Sequence, residues 1–192
     1  MKVEAKSLGE LQVVWFKRDF RLADHAALTA ASKAGPVLAL YIYEPALWAL
    51  PERSGRQDQF MRGALASLER TMRENSGHLS IRVGDVIAVL TELKNQHGTF
   101  ALHAHEETGD LWTYRRDRAV YAWCRAEGVA FHEYRQFGIE RGGDTTRNGW
   151  AKRWDSMMEE PNLPVPSSVK WVVGAREHMP APKPDPAMEW VQ

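Results

Sequence analysis

The stretch Val13-Val14-Trp15-Phe16-Lys17-Arg18-Asp19-Phe20-Arg21-Leu22-Ala23-Asp24-His25-Ala26-Ala27-Leu28 decides the fold. A short apolar run breaks into charges, and an Ala-rich segment opens after an Asp. That order predicts a buried strand, a charged loop at its carboxyl end, and a helix capped by Asp24. In an α/β protein such a loop is where ligands bind.

The rest of the chain repeats the alternation. Leu11–Phe16, Val37–Tyr43, Leu79–Val83, Thr99–His103 and Val129–Tyr134 read as five strands. They are short and almost continuously apolar, as strands buried on both faces must be. Between them lie helical periods. Gly35-Pro36 stops the first helix. Phe60, Met61, Ala64, Leu65, Leu68 and Met72 mark one face of the second. Asp85 caps the third, and Leu111–Ala126 forms the fourth with Trp112, Ala119, Val120 and Trp123 inward. Strand–helix alternation demands a parallel sheet with right-handed crossovers, a Rossmann-like, doubly wound, three-layer α/β/α fold.

The 192-residue chain holds 25 Lys+Arg and 25 Asp+Glu, so its formal net charge is zero. A chain without a positive field is a poor nucleic-acid binder by itself. Its single cysteine, Cys124, excludes an intramolecular disulfide. No apolar run approaches ~18 residues, so no membrane partner is expected. The N-terminus lacks a secretory signal, and a cytoplasmic setting is the expectation.

After Gln136 the character changes. Gly138, Gly142, Gly143 and Gly149 cluster, and seven of the ten prolines follow from Pro161 onward. The domain reading is therefore 1–137 for the α/β domain and 138–192 for a Gly/Pro-rich extension. That extension should hold no further regular element beyond a turn or two of helix near Gly149–Met158. Four of the eight tryptophans, Trp150, Trp154, Trp171 and Trp190, lie in it. They are expected on the domain's flank or exposed, where they would recruit a partner, with a homodimer as the first expectation.

The opening stretch resembles the start of the DNA photolyase/cryptochrome family, which reads roughly V-W-F-R-x-D-L-R-L-x-D-N-x-A-L. Lys17 stands for the family's Arg, Phe20 for Leu and His25 for Asn. Tyr41-Ile42-Tyr43-Glu44-Pro45, Leu79-Ser80-Ile81-Arg82-Val83-Gly84-Asp85 and Arg116-Asp117-Arg118 extend the likeness, which runs from Leu11 to about Trp154. The resemblance implies strand order 3-2-1-4-5 and the family's N-terminal α/β domain, which carries a light-antenna chromophore. It also implies that FAD binding, DNA docking and the light-driven carbon–carbon lyase chemistry belong to a C-terminal helical domain, the missing partner. This chain is expected to be inactive alone.

With that order, the carboxyl ends of strands 1 and 4 frame a crevice. Lys17, Arg18 and Asp19 enter it from strand 1, Glu44, Arg53 and Arg56 from strand 2, and His105, Glu106 and Glu107 from strand 4. Cations, carboxylates and an imidazole suit a planar, polar-edged ligand such as a deazaflavin, flavin or pterin. Folate-binding members carry Asn-Glu just before the Arg-Asp-Arg motif. Here Trp112-Thr113 stands there, which tells against a folate. His103 and His105 share a strand face, but no C-x-x-C or H-E-x-x-H accompanies them, so a core or rim histidine pair is expected and no metal. Tyr114-Arg115-Arg116-Asp117-Arg118 reads as a solvated, self-paired helix face. Two other classes stay open: a Rossmann-like nucleotide binder, against which the missing G-x-G-x-x-G tells, and a ligand-free module that docks a partner.

Overall fold

The computed structural model describes residues 9–136 and 147–184. Gly138, Gly142, Gly143 and Trp190, named above, lie outside them. Five parallel strands run in the order β3-β2-β1-β4-β5: β1 (Leu11–Phe16), β2 (Val37–Tyr43), β3 (Leu79–Val83), β4 (Phe100–His105) and β5 (Ala130–Tyr134). The direction of winding reverses between β1 and β4.

Alternation along each strand builds two core layers. Val14, Phe16, Ala39 and Tyr41 face one side, where α1 (Ala26–Ala34) supplies Leu28 and Ala31 and α3 (Gly55–Glu74) supplies Leu65, Leu68 and Met72. Val13, Trp15, Leu38 and Leu102 face the other. There α4 (Val86–His97) supplies Val89, Leu90 and Leu93, and α5 (Leu111–Glu127) supplies Val120 and Cys124. A four-residue α2 (Pro45–Trp48) follows β2. Ala119, expected inward, is exposed. Gly128 ends α5 at φ 66°, a left-handed stop that glycine adopts without strain.

Three expectations need correction. The cap of α1 is His25, not Asp24. The His25 Nδ1 accepts the Leu28 N–H at 3.0 Å, while Asp24 takes a left-handed φ of 50°. An imidazole lone pair does there what a carboxylate oxygen usually does. Strand β4 runs on to His105, two residues further than its apolar run.

The third correction concerns the extension, which is more ordered than its prolines imply. Residues 147–158 form α6 (Arg147–Met158), a full three-turn helix. Beyond it the chain returns to the sheet, pairing first with the start of β2 and then with the edge strand β3. Val172 N–H donates to Val37 O at 2.8 Å and Val37 N–H to Lys170 O at 2.8 Å. Ile81 N–H then donates to Ala175 O at 3.1 Å, and Glu177 N–H donates to Ile81 O at 2.8 Å. Glu177 also takes the Arg82 guanidinium at 2.5 Å and the Val83 N–H at 2.7 Å. Proline forbids a central strand but not this use, because the pairing needs only the proline-free run from 169 to 177. The strap covers the outer edge of β3, which would otherwise offer unpaired backbone groups to other chains.

Trp171 anchors the strap. Its ring packs on the α1/α3 layer, and its indole N–H donates to Asn75 O at 3.1 Å. Gly77 lets it approach: a Cβ at that position would meet the ring at 2.8 Å. Trp150 stacks on Trp154 at 5.4 Å and stays half exposed. Truncating the anchor therefore costs far more than truncating its neighbour. Trp171→Ala should lower the unfolding free energy by about 2–3 kcal/mol and Trp150→Ala by less than about 1, measured by urea denaturation.

Candidate functional site

The site grows from the loop after β1. Asp19 is buried and folds that loop. Its Oδ1 accepts the Lys17 N–H at 2.9 Å, and its Oδ2 lies 2.6 Å from His105 Nδ1 and 3.1 Å from His25 Nε2. The two imidazoles stack with ring centroids 4.3 Å apart. Burial pushes the Asp19 carboxyl up, but the hydrogen bonds from His105 and His25 outweigh it and hold the group well below the usual carboxylate range. Burial pulls His25 down more than Asp19 raises it, so that imidazole stays neutral at physiological pH.

Asp19, His25 and His105 offer three donor atoms within 4.8 Å of one another. The set resembles a cation site, yet His25 has no lone pair to offer it. His25 Nδ1 spends its lone pair on the Leu28 N–H, so its Nε2 carries the hydrogen and cannot ligate. His103 turns away from this cluster to Gln12, at 2.8 Å, and the Tyr134 hydroxyl, at 3.0 Å. Burial pushes it down to about 4. The two histidines of β4 thus serve separate buried contacts, as a core pair.

Beside Asp19 lies a denser knot of charge. Arg116 touches three carboxylates: Glu44 at 2.7 Å, Glu107 at 2.5 Å and Asp117 at 2.9 Å. Lys17 Nζ reaches Asp117 at 3.1 Å, and Arg18 Nε reaches Glu107 at 2.8 Å. Lys17 and Arg116 each stand 4.8 Å from the centre of the Trp15 ring. The solvated reading of Arg116-Asp117 is therefore overturned, since both side chains are buried. A signal existed. Thr113, Arg116, Asp117, Val120 and Cys124 recur at helical spacing and are the buried face of α5.

A cavity of about 720 Å³ opens over this knot, between the ends of β1 and β2 and the first turns of α3. Lys17, Arg18, Asp19, Glu44, Arg53, Arg56 and Glu107 line it. His105 and Glu106 do not. They line a smaller adjoining space of about 260 Å³, which Lys17, Arg18, Asp19 and Glu107 share. Sequence reading missed the apolar walls, Phe20, Tyr41, Trp48, Phe60 and Met61, and also Gln57 and Arg116. Ser54 and Gln57 form a reciprocal capping box that starts α3 at the mouth. Arg53 pairs with Asp110 there, and its buried Nε has no hydrogen-bond partner among the described residues.

The fold and the opening stretch now meet an independent measure. The family model for DNA photolyase matches residues 12–141, more than half of the chain. The chain belongs to the DNA photolyase family. It is 34% identical over 126 residues to a deoxyribodipyrimidine photo-lyase of Agrobacterium fabrum, covering 64% of this chain and 25% of that one. It is 26% identical over 153 residues to an uncharacterised 31.6 kDa protein of Synechococcus, covering 79% and 47%. A class III photolyase of Agrobacterium tumefaciens shares the fold at TM-score 0.73 and 24% identity, covering 92% of this chain and 39% of that one. A Synechocystis cryptochrome does so at TM-score 0.73 and 18% identity, covering 91% and 39%. The fold is that of the photolyase N-terminal α/β domain, and the chain spans a quarter to about half the length of these relatives. No helix among the described residues is long and apolar enough to cross a membrane.

Asp19 supplies a sign-determined prediction. Its folded-state carboxyl titrates below the ordinary value, so its stabilisation is present above that value and lost as pH falls through and below about 4. Asp19→Asn should cost about 3–5 kcal/mol at neutral pH, because two buried imidazoles lose their anion. In urea unfolding at decreasing pH, the gap between variant and parent should narrow below about pH 4.

Proposed function

We propose that this photolyase-family domain is a light-antenna domain that seats a flavin-type ring in the 720 Å³ cavity. The observation that supports this best is the wall itself. Aromatic side chains, Phe20, Tyr41, Trp48 and Phe60, share the lining with charged groups, among them Arg18, Glu44 and Arg116. A volume of this size with apolar walls and a few convergent polar groups is the usual build of a small-molecule site. The unsatisfied Arg53 Nε adds a buried donor without a partner among the described residues, which a ligand acceptor would fill. Phe60 is 80% exposed at the mouth, an apolar group that a bound ring or a second domain would cover.

The bound ring would supply the absorption of light, and the chain would hold and orient it. A flavin or deazaflavin fits this reading better than a pterin, since Trp112-Thr113 replaces the folate-associated pair. The fold is shared, at TM-score 0.69 and 20% identity over 84% of this chain, by a Sulfolobus tokodaii photolyase holding two FAD molecules with the implication of a novel light-harvesting cofactor.

The parent activity, light-driven DNA repair or blue-light sensing, then requires the family's helical domain as partner, with its own FAD and its own DNA contacts. The isolated chain should therefore hold no stoichiometric FAD of that kind and should not repair pyrimidine dimers in light. A homodimer through the half-exposed Trp150 and Met158 of α6 is the other association to test, by sedimentation at several concentrations.

Titration of the purified chain with riboflavin, followed by quenching of tryptophan emission, tests the assignment. Arg18→Glu should weaken binding about ten- to a hundredfold, since a hydrogen bond to a charged group contributes about 1.5–3 kcal/mol. Glu106→Lys, in the smaller space, should change it less than about threefold. Absence of riboflavin and deazaflavin binding, or equal effects of the two substitutions, would contradict the assignment.

A further inference from the structure

We propose that Glu44 is the specificity-determining group of the large cavity, which receives a ring as the neutral acid and donates a hydrogen bond to one of the ring's carbonyl oxygens. The inference rests on the antenna reading of that cavity and goes beyond it, to the chemical edge that the ring presents and the proton that accompanies it.

Arg116 is shared by three carboxylates. Asp117 has a second cation, Lys17, and Glu107 has a second cation, Arg18. Glu44 has only its share of Arg116 among the described residues. Three cations thus face three carboxylates, and Glu44 is the one whose single cation is shared with the other two, which leaves it the least compensated anion of a buried knot. Its place makes this consequential. Glu44 is 5% exposed at the carboxyl end of β2 and lines the cavity. Its Oε2 meets Arg116, and no hydrogen bond reaches its Oε1 from the described residues.

The groups facing Glu44 from its neighbouring elements pull in both directions. From α5 come Arg116, which favours the anion, and Asp117, which opposes it. From the loop after β4 comes Glu107, which also opposes it. Tyr41, from β2, stays neutral, its hydroxyl pushed up by burial and by Glu44 itself. Burial is the largest influence, and Glu44 is pushed up to about 7. Protonation leaves Arg116 with Glu107 and Asp117, both doubly paired, and gives the cavity one hydrogen-bond donor.

A donor at that spot selects a carbonyl edge. An ionised carboxylate beside a ring carbonyl would set two acceptors face to face. The neutral acid reverses this and favours the dione edge of a flavin-type ring over the amino edge of a pterin. Binding is then linked to proton uptake. Affinity is full below the titration of Glu44 and falls up to tenfold for each pH step above it.

Riboflavin is the probe, since its ring keeps one charge state across the range used. For the wild-type chain, the dissociation constant at about pH 8.5 should be at least tenfold weaker than at about pH 6. Glu44→Gln, whose amide still donates, should show no pH dependence over that range, and Glu44→Ala should bind more weakly than Glu44→Gln at every pH. A ligand-free readout separates this from the antenna reading. The infrared band of a protonated carboxylic acid should appear between about pH 8.5 and pH 6 in the wild type and be absent in Glu44→Gln. Riboflavin binding that is independent of pH in the wild type, or that keeps its pH dependence in Glu44→Gln, overturns the proposal and leaves the antenna reading standing. An absent infrared band overturns the proton placement. No riboflavin binding at any pH, with the infrared band present, overturns the antenna reading and with it the role of Glu44 toward a ring.

Discussion

One carboxylate holds the site in shape. Asp19 ties the loop after β1 to the end of β4 through His105 and to the start of α1 through His25, and it closes its own loop through the Lys17 N–H. These three bonds bring together elements far apart in sequence at the point where the sheet reverses its direction of winding. Lys17 and Arg18 leave that loop already aimed, one into the buried knot and one to its rim. A carboxylate so placed does not serve as a reagent. It fixes the geometry from which the reagents project.

The knot around Arg116 follows from the same crossing of elements. Glu44 comes from β2, Glu107 from the loop after β4, Asp117 from α5 and Lys17 from the loop after β1. Buried charges of this density stabilise a fold weakly, because desolvation cancels most of the attraction. Their presence under a cavity with aromatic walls therefore points to use rather than to stability. The cavity lining combines aromatic side chains with charged ones.

Most of the fold was legible because both of its periods are strong. Buried parallel strands show as apolar runs, and the faces of α3 and α4 show at helical spacing. The cavity's border was legible through its charges: seven of the nine residues singled out line it. The apolar wall was hidden because Phe20, Tyr41 and Met61 look like any core residues until the chain is folded. Arg116 and Asp117 were hidden by their type, since charged residues on a helix are usually solvated. The strap from 169 to 177 was hidden by the prolines around it. Composition describes a segment's own preferences, whereas this one is ordered by backbone groups of β2 and β3 that it meets only after folding.

The central claim is that a flavin-type ring lies over Arg116 and Glu44, between β1, β2 and α3. A crystal structure of the 192-residue chain grown with riboflavin tests it most directly. The account predicts the ring between Trp48, Phe60 and Tyr41, with a carbonyl oxygen within hydrogen-bond distance of the Glu44 carboxyl. A ring bound elsewhere on the domain, or seated there with its carbonyl edge turned to solvent, would contradict it.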